Sequence, residues 1–247
     1  MTAIGPWQVQ TYSLTLALAI LLSGAVALRL RPGRPLAALD ACLLALATGL
    51  LAARAGHVLL HLEHFVRTPE DILRWSSGGL EWHSALAGAL AGLWLGARWR
   101  ALAWPALLDA LTPALALLCL GAWRGCMAAG CGYGREVDTL ANHSPLLVAE
   151  LPDIYGIAAP RYNTPLFGLL LAVIALLLAG LFHRRRWLPG SRFWLLLALL
   201  AAGTFAIGFW RADPVPQWGG LRSDQWLDLA VVFTCAWALR RGRRRPP

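Results

Sequence analysis

The sequence predicts an all-α, polytopic membrane bundle of about seven transmembrane helices, with the N-terminus outside and the C-terminus inside. Three observations predict it. Of 247 residues, 58% are hydrophobic and only 14% are charged, too little charge to cover a soluble domain of this length. Apolar runs near span length recur along the whole chain. The basic residues fall in alternate loops.

The first run covers residues 12–28. It has neither a basic leader nor a small-residue cleavage site, and more runs follow, so it reads as a helix and not a signal peptide. Further runs cover residues 36–53, 83–97, 103–120, 164–182, 193–210 and 226–239. Arg29, Arg31 and Arg34 follow the first run, Arg98 and Arg100 the third, and Arg184, Arg185, Arg186 and Arg192 the fifth. The tail carries Arg240, Arg241, Arg243, Arg244 and Arg245. The intervening segments mix acid and base, with Glu63, Glu70, Asp71 and Glu81, then Glu136, Asp138, Glu150 and Asp153, then Asp213, Asp224 and Asp228. Positive charge gathers on the cytoplasmic side of membrane proteins, which sets the orientation. Two outward segments are long, 54–82 and 121–163, and residues 1–247 read as one transmembrane domain. Trp7, Trp75, Trp82, Trp99, Trp187 and Trp226 lie near predicted helix ends, as interfacial anchors do.

All 22 basic residues are arginine, and the net charge is +9. Basic proteins attract nucleic acid, but these arginines are interleaved with apolar runs, which excludes that partner. Outside the inward loops stand Arg54, Arg67, Arg74, Arg124, Arg135, Arg161, Arg211 and Arg222. Arginine near a bilayer is costly unless it is paired or binds an anion. Its planar fork suits phosphate, so as a group these residues point to a phospholipid headgroup. For each one singly, pairing with outward acids explains it as well.

His83 opens the third helix and is a candidate general base, or a polar cap. Asp109 lies within the fourth helix, where a carboxylate marks either function or an interhelical ion pair; the ion pair is preferred. His57, His61 and His64 share a helical face and read as an amphipathic stretch rather than a metal site. Cys126 and Cys131 sit in an outward segment, either bridged or as free thiols.

These pieces together resemble one family. Tyr12-Ser13-Leu14 opens the first helix where that family has a Tyr-Gly pair. Ala53-Arg54-Ala55-Gly56-His57-Val58-Leu59 is similar to Ala-Arg-x-Gly-Tyr-Val-Leu, and Gly78-Gly79-Leu80-Glu81-Trp82-His83 to Gly-Gly-Leu-Ser-Phe-His. Asp109 and Pro113 match Asp-x-x-x-Pro. Gly125-Cys126 through Gly130-Cys131-Gly132-Tyr133-Gly134-Arg135 resembles a glycine-rich signature in its cysteine-containing version. The stretch from Pro160 to Phe167 is similar to Pro-x-Gln-Leu-Tyr-Glu. Arg211 and Ser223-Asp224-Gln225-Trp226 follow the family's last two helices. The order of the motifs is that of bacterial prolipoprotein diacylglyceryl transferase.

The resemblance implies seven spans and transfer of the diacylglyceryl group of phosphatidylglycerol to the lipobox cysteine of a preprolipoprotein signal peptide. It implies glycerol phosphate as the second product and no metal or soluble cofactor. The site would face the periplasm from a bacterial inner membrane. Because the attacking thiol belongs to the acceptor, the enzyme supplies a base and charge for the leaving phosphate. His83 takes the base's place. Arg124, Arg135, Arg161 and Arg211 hold phosphate, with Tyr12 and Gly134 beside them, and Arg54 and Asp109 support the site. The match also has gaps. Trp123 stands where the signature has arginine, and Cys126 where it has asparagine. Thr204 and Gly208 replace an arginine and a glutamate, and Gly168 replaces a glutamate. These leave a second reading, a silent relative that binds lipid or assists lipoprotein assembly. A third is a metal or thiol-redox protein using His57, His61 and His64 or Cys126 and Cys131.

Overall fold

In the computed structural model the described residues are 2–4, 7–30, 33–75 and 78–243. Arg31, Arg244 and Arg245 of the inward arginine pattern lie outside them, and Trp7 and Arg243 are described by backbone alone. The elements run β1 (Thr2–Ile4), β2 (Trp7–Val9), α1 (Thr11–Arg29), α2 (Pro35–Leu60), α3 (Leu62–Arg67), α4 (Trp82–Trp99), α5 (Trp104–Ala129), β3 (Val148–Pro152), β4 (Ala158–Tyr162), α6 (Thr164–Arg185), α7 (Arg192–Gly208), β5 (Gln217–Trp218), β6 (Leu221–Arg222) and α8 (Ser223–Arg243). A 3-10 turn covers Pro69–Leu73.

A long helix occupies each of the seven predicted runs, and the fold is a membrane helical one. Among the described residues α1, α2, α5 and α6 are long and apolar enough to cross a membrane, and α7 is a shorter apolar helix. The boundaries differ in an instructive way. Residues 54–60, expected in an outward segment, continue α2, and α5 runs on past Arg124 to Ala129. Arg54 does not end its helix because its charge is absorbed by a folded loop, described below. The three β-hairpins are short antiparallel pairs outside the predicted apolar runs.

The chain divides into two compact units, residues 28–107 and residues 1–27 with 108–247. In the first, α2 and α4 pack antiparallel along a seam of small residues. Cβ atoms built on Gly88, Gly92 and Gly96 would lie 2.4 Å from Ala52 Cβ, 2.0 Å from Thr48 Oγ1 and 2.6 Å from Ala41 Cα. Such spacing lets helix backbones approach where lipid offers no hydrophobic drive to associate. The Thr48 hydroxyl donates across the seam to Gly88 O at 2.8 Å. Arg100 Nε and Asp40 Oδ2, 2.9 Å apart, join one end of the pair.

In the second unit α6 and α7 share a core of Ala175, Ala179, Leu196 and Leu200, with Ala116 of α5. α1 lies along α5, where Gly121 faces Ala19 and Thr15, and Gly125 faces Tyr12. The Ser23 hydroxyl donates to Ala114 O at 3.1 Å. Polar groups tie α7 to α8. Thr204 Oγ1 donates to Asp228 Oδ1 at 2.8 Å, and Gln225 Nε2 to Phe205 O at 3.0 Å. At one end Asp109 accepts from the backbone N–H of Gly190 (2.5 Å) and Arg192 (3.3 Å), closing the α6–α7 turn. Asp109 is therefore about 22 Å along α5 from Arg124, at 1.5 Å per residue.

Candidate active site

In the unit of α2 and α4 the polar centre is the start of α4. Glu81 is the N-cap residue, and its carboxylate accepts from the backbone N–H groups of His83 (2.9 Å) and Ser84 (2.6 Å). That satisfies donors a helix leaves open at its first turn. The same carboxylate meets His83 Nδ1 at 2.6 Å. With Nδ1–H donated to Glu81, the ring carries its basic lone pair on Nε2. His83 is 6% exposed, and its ring lies against Trp82 with centroids 3.8 Å apart. Burial alone would raise the Glu81 carboxyl, but hydrogen bonds from His83 and Ser84 outweigh it and hold the group down at about 2. In sequence Glu81 stands among the outward acids and within the Gly78–His83 motif, without a role of its own. Its signal was available: an acid at a helix start, two residues before a histidine.

Arg54 organises the approach to that cap. Buried in the last turns of α2, its guanidinium donates to Ile72 O (2.9 Å), Asp71 O (2.5 Å), Arg74 O (3.2 Å), Gly78 O (2.6 Å) and Gly79 O (3.1 Å). The Glu81 N–H then donates to Ala53 O at 3.0 Å. Of the histidines, His57 and His61 lie ring to ring at 4.3 Å, and His64 faces Asp71 at 3.5 Å. Among the described residues no three His, Cys, Asp or Glu side chains converge to hold a metal.

In the other unit three strand-like segments knit the predicted phosphate residues together. Gly134 bridges Arg211, and Glu136 bridges Arg161. The Arg135 N–H donates to Trp210 O at 2.8 Å, and the Tyr162 N–H to Arg135 O at 3.1 Å. Gly134 must be glycine for this, since a Cβ there would lie 2.3 Å from Tyr162 O. Thr164 Oγ1, donating to Gly132 O at 2.5 Å, fixes the start of α6 to the same segment.

The arginines divide in two. Arg211 and Arg222 alternate with Asp213 and Asp224. Arg211 forks onto Asp213 at 2.8 and 2.7 Å and lies 3.2 Å from Asp224, while Arg222 reaches Asp213 at 3.1 Å and Asp224 at 3.0 Å. Burial acts to raise the Asp213 carboxyl, yet Arg211 first and then Arg222 bring it below its ordinary value. Arg161 is buried, pairs with Glu136 at 2.6 Å and Asp153 at 3.5 Å, and lies over the Tyr133 ring. Its buried Nε has no acceptor among the described residues. Arg124 and Arg135, by contrast, are exposed, and neither side chain has a partner among the described residues. Tyr12 packs its ring against Gly125, next to Arg124. Asp213 and Asp224 were legible only as outward acids; that each would also pair with the other's arginine is not written in local sequence.

Cys126, in the last turn of α5, is disulfide-bonded to Cys131. This decides between the bridged and free readings of that pair in the structure.

The family described as prolipoprotein diacylglyceryl transferase matches residues 1–241. Phosphatidylglycerol–prolipoprotein diacylglyceryl transferase 1 of Streptomyces coelicolor is 30% identical over 223 residues, covering 87% of this chain and 63% of the relative. The enzyme of that name without the numeral from Clostridium novyi is 27% identical over 195 residues, covering 78% and 75%. The one from Dehalococcoides mccartyi is 30% identical over 220 residues, covering 85% and 81%. The chain thus spans less than two thirds of the Streptomyces relative's length.

Proposed function

Because this chain belongs to the prolipoprotein diacylglyceryl transferase family, we propose that it moves the diacylglyceryl group of an anionic phospholipid, phosphatidylglycerol first, to the lipobox cysteine thiol of a preprolipoprotein. The observation that carries this reading is the buried Glu81–His83 pair, with Nδ1 and the carboxylate 2.6 Å apart. A thiol needs a base to become a nucleophile near neutral pH. Glu81 fixes the imidazole's tautomer and stabilises the imidazolium that proton uptake creates, so that His83 Nε2 takes the thiol proton. The thiolate sulfur then bonds to the glyceryl carbon, the carbon–oxygen bond to phosphate breaks, and glycerol phosphate leaves with the electron pair.

Charge growing on that leaving group calls for cations not already spent on acids. Arg124 and Arg135 meet the condition, while Arg161, buried and paired with Glu136 and Asp153, acts through that network. Arg211 acts through the network it shares with Asp213 and Asp224, and Gly134 sets the backbone that carries Arg135. Tyr12 sits beside Arg124 to meet the headgroup. Arg54 is a positioning residue, whereas Asp109 holds the α6–α7 turn away from Arg124 and only supports the fold. The same reading takes all seven long helices as spans of one transmembrane domain with the N-terminus outside, in a bacterial inner membrane, with this chemistry on the periplasmic face.

The test is transfer by purified full chain in phosphatidylglycerol vesicles, read as the mass gain of a lipobox peptide and the release of glycerol phosphate. His83→Ala should remove it. No transfer from any anionic lipid would sink the proposal.

A further inference from the structure

In the unit of α2 and α4 a polar cavity of about 300 Å³ opens beside the loop that leads into α4, with His57, His64, Asp71, Arg74 and Gly79 among its walls. Gly79 is where that loop touches α2. A Cβ on it would lie 2.5 Å from His57 Cδ2 and Nε2 and 2.8 Å from Arg54 Nη1, so the chain passes directly over the imidazole and the guanidinium. Arg54 also binds the carbonyls of Gly78 and Gly79, and two residues on the Glu81 N–H meets Ala53 O. His57 follows Arg54 by one turn on the same face of α2. The segment that delivers Glu81 to the start of α4 is thus laid on His57.

The three histidines differ in what a proton on them would meet. His61 Nδ1 lies 3.0 Å from His57 O, and His64 Nε2 lies 3.5 Å from Asp71 Oδ2. The His57 ring makes no hydrogen bond among the described residues. It lies against His61 with centroids 4.3 Å apart and meets the Phe65 ring edge-on at 5.8 Å. The charged and titratable groups that face it are Arg54 and His61 on its own helix, His64 on α3 and Glu81 at the start of α4. Asp71 and Arg74, across the cavity, bind each other at 2.8 Å. Glu81 already binds the His83 ring and two backbone N–H groups. An imidazolium at His57 therefore gains little from either acid, and Arg54, a like charge one turn away on the helix, repels it. A neutral ring packs under Gly79 without that penalty.

Resting on the reading of His83 as the base, we propose that His57 is a positioning residue that answers to pH. As a neutral ring it holds Gly79, and with it the Glu81 cap, against α2. As an imidazolium it is driven from Arg54 and releases the loop, so transfer falls as the medium outside turns acid. In the opened loop the imidazole sits in water and takes a proton near pH 6.5, whereas the closed loop resists the same proton. Opening is therefore favoured progressively below about pH 6.5, and the closed loop is complete above it. The resembled motif has tyrosine at this position, which stays neutral through the whole range. The response belongs to this sequence.

The experiment is hydrogen–deuterium exchange of the full chain in phosphatidylglycerol nanodiscs at about pH 7.5 and about pH 5.5, the range over which imidazole titrates, each corrected with an unstructured peptide. Acid should speed exchange over residues 78–84 by about three- to tenfold, tenfold being the limit for one unit's difference in proton affinity between open and closed loop. His57→Gln, neutral throughout, should cancel that response. His57→Lys should open the loop already at the higher pH, and His64→Gln should keep the response. A response that survives His57→Gln, one lost with His64→Gln, or none in the unaltered protein overturns the proposal. The ratio of transfer at the higher to the lower pH should be smaller in His57→Gln than in the unaltered protein, and an equal ratio also overturns it. Exchange needs neither acceptor nor turnover. An acid-opened loop in a protein that never transfers therefore rejects the transferase reading alone, and transfer with a loop indifferent to acid rejects the role of His57 alone.

Discussion

Trp123 fills the space that Gly168 leaves open: a Cβ on Gly168 would lie 2.0 Å from Trp123 Cδ2. By the family resemblance these two positions correspond to an arginine and a glutamate. Here a large side chain lies against a glycine. With Trp123 and Gly168 packed together, a charge placed at either position alone would be buried without a partner, which is a strongly destabilising arrangement. Gly168→Glu should therefore lower the thermal midpoint sharply, because the carboxylate meets an indole. Trp123→Arg should do the same for want of a carboxylate. The double variant should recover most of the loss, with a coupling of about 1–3 kcal/mol. Thermal unfolding of the four proteins in one detergent measures it, and additive losses would show that the two sites are independent.

Arg54 offers a second test. Its guanidinium satisfies carbonyls from Asp71 to Gly79, and an unsatisfied buried acceptor costs about 1–3 kcal/mol. Arg54→Lys keeps the charge but offers three donors on one nitrogen in place of a planar fork. It should rescue little of the damage of Arg54→Ala. Amide exchange over residues 71–81 should rise at least tenfold in both variants, while the α2–α4 seam near Gly92 stays protected.

How far the sequence carried these features depends on their range. Helix positions were legible because apolar runs and arginine-rich turns are local. The end of α2 was misplaced because Arg54 reads as a span boundary in sequence, and only the returning loop supplies its acceptors. The arginines were legible as a group and not as individuals. Arg211 and Arg124 look alike in sequence, yet one is enclosed by Asp213 and Asp224 and the other is exposed on α5. Asp213 and Asp224 each follow an arginine by two residues, a spacing visible in sequence, but the cross-pairing of Arg211 with Asp224 and of Arg222 with Asp213 comes only from the fold. Glu81 was different: its cap position was visible, and only its contact with His83 had to come from the structure.

The ring of Arg211, Asp213, Arg222 and Asp224 gives a third expectation. Asp213 accepts from both arginines, and its carboxyl lies below the ordinary 3.8 because Arg211 and then Arg222 outweigh the opposing effect of burial. A depressed carboxyl stabilises the fold above its unfolded value and loses that contribution as pH falls through the folded one. Asp213→Asn should cost about 3 kcal/mol at pH 7, since it leaves the buried Arg222 and the partly buried Arg211 underpaired. The difference from the unaltered protein should shrink only below pH 3.8. A difference that changes between pH 5 and 8 would contradict the pairing.

Glu81 and His83 give the last. Hydrogen bonds from His83 and Ser84 overcome burial and hold the Glu81 carboxyl at about 2, against an ordinary 4.5. The sign is that of a depressed acid: the contribution to stability is complete above pH 4.5 and is lost as pH falls toward about 2. Between pH 5 and 9 Glu81 stays ionised, so any change in transfer rate there belongs to other groups. Glu81→Gln keeps an oxygen to cap α4 but removes the charge that stabilises an imidazolium. It should cost about 2 kcal/mol in unfolding free energy at pH 7, a loss that shrinks as pH falls toward 2, and lower transfer by roughly 10²-fold or more, as loss of a general base's support does. Phosphatidylglycerol binding should not change. Unfolding midpoints of the two proteins at pH 7 and pH 3, beside their transfer rates, separate these effects. A Gln variant as active as the unaltered protein would remove His83 from the role of base held by Glu81.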